Sequence, residues 1–156
     1  MGYVNRNLMP GERVVYNATI HWFIFMPALI TFLIAIVLLA LDRGFGLALS
    51  ALAALLALFY FLRALTTKIS TELAVTSKRV IAKVGLIRRH SIELNHSKVE
   101  SFHVDQSILG RIFGFGTVII HGTGGGTTPI PNIAAPLAFR RNAMETIDAS
   151  QSTGPS

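Results

Sequence analysis

The chain has no cysteine in its 156 residues. Disulfides, thiolate metal sites and thiol nucleophiles are excluded together, and a reducing compartment fits. Charge is scarce as well: Asp, Glu, Lys and Arg make up 14% of the sequence, against about 25% in an ordinary soluble domain. Acids are the rarer sign, 8 against 14 Lys and Arg, for a net charge of +6. The shortage is local, since residues 22–62 hold only Asp42 and Arg43 among them. Residues 63–156 are basic and have room for one modest core.

Two apolar runs fill the charge-poor segment. "WFIFMPALITFLIAIVLLAL", residues 22–41, carries no charge, and at about 1.5 Å per residue it reaches about 30 Å, the hydrocarbon thickness of a bilayer. Residues 45–62 form the second run, with Asp42, Arg43 and Gly44 as the turn between them. The expectation is a transmembrane helical hairpin over residues 22–62. Basic residues near the spans lie on the flanks, at Arg6, Arg13, Arg63, Lys68, Lys78 and Arg79, against Arg43 alone in the turn, so both termini are expected on the cytoplasmic side. Trp22, Tyr60 and Arg63 suit the headgroup level as interfacial anchors. Gly46, Ser50 and Ala54 recur every four residues as a small-residue ridge for helix packing, either the hairpin's own seam or a self-association face. Neither run contains an ionisable residue, which weighs against an ion channel or proton-coupled transporter.

After Arg63 the pattern changes to short alternating stretches, which predict strands near 71–75, 79–84, 87–94, 99–104, 117–121 and 127–130. "QSILGRIFGFG", residues 106–116, reads as one helical turn ended by glycines. Pro136 suits the first turn of a final helix, with Phe139, Ala143 and Ile147 on one face. A small antiparallel barrel closed by this helix is expected over residues 63–149, with a disordered tail at 150–156. Ahead of the hairpin, "GERVVYNATI" at 11–20 reads either as a further strand of the same domain or as an interfacial helix.

Chemistry-bearing motifs are few. The glycines of "HGTGGGTT", residues 121–128, could wrap an anion, but the lysine and the spacing of a nucleotide loop are missing, and a hairpin tip is the simpler reading. His90, His96, His103 and His121 show no compact metal-ligand spacing, and no serine, histidine and acid stand together in sequence. No catalytic residue, metal or cofactor is therefore expected. Lys78, Arg79, Lys83, Arg88 and Arg89 form a stronger signal, since no acid falls between Glu72 and Glu93. Near an anionic leaflet, juxtamembrane Lys or Arg gain about 1 kcal/mol each, so these five are the candidate lipid-headgroup-binding set. Nucleic acid is not expected, because no aromatic residues are interleaved for base stacking.

"LMPGERVVYNATIHW" ahead of a hydrophobic hairpin, followed by "LAVTSKRVIAKVGLIRRHSIELNHSKVESFHVDQSILGRIFGFGTVIIHG", resembles the bacterial pleckstrin-homology-like (PH-like) family, also called the membrane-flanked domain. The likeness covers nearly the whole chain up to Ile147, and the run from Thr76 to Gly122 is its most specific part. It implies an α+β membrane protein of the bacterial inner membrane: a two-helix transmembrane hairpin plus a PH-like antiparallel β-barrel capped by a C-terminal helix. It brings no catalytic set. The glycine-rich "GTGGGTTPIP" departs from the family pattern by its length. The function expected is a membrane-integral binding or adaptor module that docks on anionic lipid headgroups and presents a surface to protein partners or to copies of itself. The alternative is an enzyme or transport accessory acting on a lipid or envelope substance, with the glycine loop and His121 at its working edge.

Overall fold

In a computed structural model of the chain, residues 3–41, 44–85 and 90–152 are described. Asp42 and Arg43 of the expected turn, and Arg88 and Arg89 of the expected basic set, lie outside them. A short helix α1 (Tyr3–Arg6) and a strand β1 (Val14–Ala18) precede the apolar runs. The first run is a 3-10 turn (Trp22–Phe25) continuing as α2 (Met26–Leu41), and the second is α3 (Phe45–Ser70). Then come β2 (Glu72–Thr76), β3 (Arg79–Val84), β4 (His90–Asn95), β5 (Val99–Asp105), α4 (Ile108–Phe113), β6 (Phe115–Gly122), β7 (Gly126–Ala134) and α5 (Pro136–Ser152). Residues up to His21 and from Ser70 onward form one compact unit, the β unit, and Trp22–Ile69 form another, the helical unit.

Residues 11–20 thus contain a strand. β1 pairs antiparallel with β2, Ala18 opposite Leu73 and Asn17 opposite Ala74, so the helical unit is an insertion between two neighbouring strands. The first sheet runs β1-β2-β3-β4 and the second β5-β6-β7, all antiparallel. The expected barrel is not closed. The chain leaves the first sheet through a 3-10 turn at His96–Lys98, and the two sheets meet at one corner. There Ile20 bridges Ile133, His21 N–H donates to the Asn132 carbonyl at 2.7 Å, and Ala134 N–H to the Thr19 carbonyl at 2.9 Å.

What holds the sheets is apolar burial between them. Leu73, Val75 and Val80 from the first sheet and Phe102, Val118, Ile120 and Ile130 from the second are buried with Phe139, Ala143 and Ile147 of α5, each large aliphatic worth about 1.5–3 kcal/mol. Phe139 stands edge-on to Tyr16 and to Phe102, both ring centroids 5.9 Å away. The other face of the first sheet is covered too. Ala74 and Ile81 pack with Val4 of α1, flanked by Tyr3, Leu8 and Val14. Burial on both faces explains why β2 and β3 read as the continuous apolar runs "LAV" and "VIA".

Two boundaries move. α3 extends eight residues past Leu62, so 63–69 belong to the helical unit rather than to the domain. Neither Gly nor Pro interrupts this stretch, and the Thr66 and Thr67 hydroxyls donate back to the Arg63 carbonyl without breaking the helix. α5 runs through Ser152, so the tail expected from residue 150 begins inside that helix. Among the described residues of the helical unit, the buried ones are small: Ala28, Ala35, Gly46, Ser50, Ala57 and Ala64. Ala28 and Ala35 are seven apart, as are Ser50, Ala57 and Ala64, the period of a helix-on-helix seam. The large apolar side chains of both helices stand outside, most of them half exposed or more.

The β unit has two distinct ends. At the exit end the chain leaves for the helical unit after His21 and returns at Ser70, beside the Ala18–Leu73 pair. At the far end lie Val14, Thr76, the β2–β3 turn and the β6–β7 turn, and Thr123 N–H donates to the Lys98 carbonyl there at 2.9 Å.

Candidate functional site

The described members of the basic set, Lys78, Arg79 and Lys83, do not form one patch. Lys78 sits in the far-end turn, exposed, its Nζ donating to the Pro10 carbonyl at 3.1 Å. Lys83 is at the other end of β3, opposite Glu72, with Nζ 4.9 Å from the centre of the Tyr3 ring. Five residues of extended strand put the two lysines about 15 Å apart. Arg88 and Arg89 follow Lys83 in the chain, outside the described residues.

Arg79, expected among the headgroup contacts, is 6% exposed and committed to the interior. Its Nε and Nη2 donate to the two Glu12 carboxylate oxygens at 3.0 Å each, a fork-on-fork pair of the kind guanidinium geometry favours. Nη1 donates to the Glu93 carboxylate, and Nη2 also to the Asn7 carbonyl at 2.7 Å. Glu12 has no exposed side-chain surface. It accepts further bonds from the Thr76 hydroxyl at 2.6 Å and Met9 N–H at 2.7 Å. Thr76 Oγ1 in turn accepts from the Lys78 and Arg79 amides. The cluster clamps residues 7–12 onto the β2–β3 turn, and Arg79 is a structural residue. Burial alone would push the Glu12 carboxyl up. The Met9 amide, the Thr76 hydroxyl and the Arg79 guanidinium outweigh it and hold the group below the usual glutamate range.

His96 is buried at the far end, Nδ1 2.9 Å from Ser150 Oγ of α5, and burial lowers its pKa despite the opposing Thr76 backbone. His103 is exposed, whereas His121 lies within β6 opposite Ser101 and Thr127. No three His, Asp or Glu side chains come together among the described residues. The glycine-rich stretch forms the far-end β6–β7 turn, with Gly124 and Gly125 at positive φ, a tight tip.

In the helical unit Trp22 and Arg63 are exposed and Tyr60 half-buried, and Lys68 Nζ lies 5.6 Å from the Phe25 ring centre. Of the small-residue ridge, Gly46 and Ser50 are buried while Ala54 is exposed. Ala54 lines an open apolar groove of about 490 Å³ with Phe25, Leu29, Phe32, Ala57 and Phe61. No charged group there could orient a polar ligand. A feature that the sequence pattern does not single out is the outer face of α4, where Ile108, Leu109 and Ile112 stand exposed. The signal for it is three large apolar residues at i, i+1 and i+4 in a helix too short to bury them.

Two antiparallel sheets of four and three strands, packed around a C-terminal helix whose Phe139 sits between them, define a PH-like domain, here with an apolar helical insertion after its first strand. The bacterial PH domain family matches residues 20–150, and the chain belongs to it. No curated protein and no solved structure matches the chain.

Proposed function

We propose that the protein is a membrane-anchored PH-like binding module. The observation that carries this reading is the inverted helical unit: alanine, glycine and serine inside, leucine, isoleucine and phenylalanine outside. Water selects against so large an apolar surface on a folded protein, whereas lipid selects for it and rewards small residues at the seam. The hairpin crosses the bilayer twice, with Trp22, Tyr60 and Arg63 at the headgroups and both termini on the cytoplasmic side of the bacterial inner membrane. Thiol tagging at Gly44→Cys tests this directly: labelling from the periplasmic face only is expected, and labelling from the cytosol alone overturns it.

The β unit then works against anionic headgroups through Lys83, with Arg88 and Arg89 next to it in sequence. Its remaining surfaces serve a protein partner or another copy. A fluorophore at Ser91→Cys, on the residue paired with Lys83, reports this docking in nanodiscs carrying the full chain. Energy transfer to headgroup dye should rise with anionic lipid, fall with salt over a Debye length of about 8 Å, and disappear with Lys83→Glu, Arg88→Glu and Arg89→Glu together. Indifference to lipid charge would remove headgroup recognition from the reading.

A further inference from the structure

α4 is built to be rigid and to point apolar residues outward. Ser107 caps it by accepting the Gly110 N–H at 3.1 Å. Gly114 ends it in the left-handed region at φ 76°, donating its N–H to the Gly110 carbonyl. Gln106 Nε2 bridges the Gly110 and Phe115 carbonyls at 3.3 and 2.9 Å. Gly110 is buried, and a Cβ there would lie 2.5 Å from the Phe115 carbonyl oxygen, so no other residue lets the helix sit this close to β6. With that face pinned, Ile108, Leu109 and Ile112 are 77%, 52% and 71% exposed, and Arg111 stands exposed between them. A loosely held loop could fold such residues away; a helix fixed by two caps and a bridging amide cannot.

Position names the occupant. α4 leads into Phe115, whose ring stacks on His21 with centroids 5.4 Å apart, and the Gly114 carbonyl accepts Ala135 N–H at 2.8 Å. His21 is the last residue of the β unit before Trp22 opens the helical unit. α4 therefore stands at the exit end. Leu137, 53% exposed in the first turn of α5, is at the same end.

We infer that α4 is a membrane foot: Ile108, Leu109 and Ile112 enter the headgroup–acyl boundary of the leaflet into which the chain passes at Trp22, with Arg111 reaching back to lipid phosphate. Short apolar faces flanked by arginine bind interfaces by buried area plus attraction to anionic lipid. The inference rests on the membrane reading of the hairpin, and it adds an apolar, salt-resistant contact to the salt-sensitive one at Lys83.

Because the chain has no cysteine, single nitroxide labels at Ile112→Cys and, at the far end, Thr123→Cys test it in full-length protein in nanodiscs of mixed neutral and anionic lipid. The label at 112 should collide with dissolved oxygen and be shielded from a water-soluble nickel chelate, the label at 123 the reverse, and high salt should leave the first result unchanged. Adding Ile108→Ser and Leu109→Ser, both at exposed positions, should open 112 to the chelate. If 112 is as open to the chelate as 123 while the chain resists an alkaline wash, the foot is wrong and the hairpin stands. If the wash releases the chain, both readings fall. Shielding that needs two chains in one disc and vanishes with a single chain makes a second copy the occupant, which also overturns the foot.

Discussion

Leu73 and Leu55 are the same residue under opposite rules. In β2, Leu73 is 1% exposed and its polar neighbours are hydrogen-bonded; in α3, Leu55 is 65% exposed while alanines fill the seam. The β unit sorts its side chains for water. On the proposed membrane reading, the helical unit sorts them for a surrounding at least as apolar as itself, in which large side chains gain nothing by turning inward and small ones let backbones approach. The β unit departs from its own rule at α4, where three large apolar side chains stand exposed together at the end where the chain leaves for the helical unit.

The largest effect should come from the strongest polar feature of the water-sorted unit. Arg79→Ala leaves Glu12 buried without its partner, a loss of about 3–5 kcal/mol, which hydrogen exchange of the β2 and β3 amides in detergent-solubilised chain would register as lost protection. Its acid counterpart comes from two shifts. Glu12 titrates below its ordinary value in the fold, so its contribution is present above about pH 4.3 and is lost as pH falls through the depressed value. His96 is also depressed, by burial, so the unfolded chain takes up its proton first and stability declines as pH drops below about 6.5. Acid weakening in two stages is the expectation, the upper one absent from His96→Gln. A single stage in the parent chain would show that His96 does not contribute.

A sharper contrast comes from putting the same charge on both units. Val15→Arg, at a position 47% exposed in β1, should stay within about 0.5 kcal/mol of the parent. Leu55 is more exposed still, and in water Leu55→Arg would be as mild. In lipid it costs about 2.5–3.5 kcal/mol, visible as a reduced membrane-inserted fraction in a cell-based insertion assay. Equal tolerance at the two sites would mean that the outer face of α3 meets water, and the comparison would collapse.

Much of the fold is legible in the sequence because it is local. The β3 bounds, the helical turn ended by glycine, and the Phe139, Ala143 and Ile147 face all come from spacing within a few residues. The misreadings are nonlocal. Arg79 reads as a surface base because its partner Glu12 lies 67 residues away, across the helical insertion. Strand alternation announces strands but not which edges bond, so an open pair of sheets and a closed barrel look alike. α4 reads as a helical turn, yet its significance depends on what covers it, and no spacing rule carries that.

The smallest effect tests the seam itself. Ala35 is 6% exposed in α2, whereas Ala51 of α3 faces outward. Ala35→Leu adds three heavy atoms where the helices pack and should cost about 1–3 kcal/mol by overpacking, while Ala51→Leu adds the same atoms to a surface already lined with leucine and should cost little. Steric trapping or detergent-titrated unfolding of the full chain separates the two. If they behave alike, the alanines are there for composition and not for contact. If Ala51→Leu is the costly one, the outer face of α3 around Ala51 and Ala54 is covered by protein where lipid is expected.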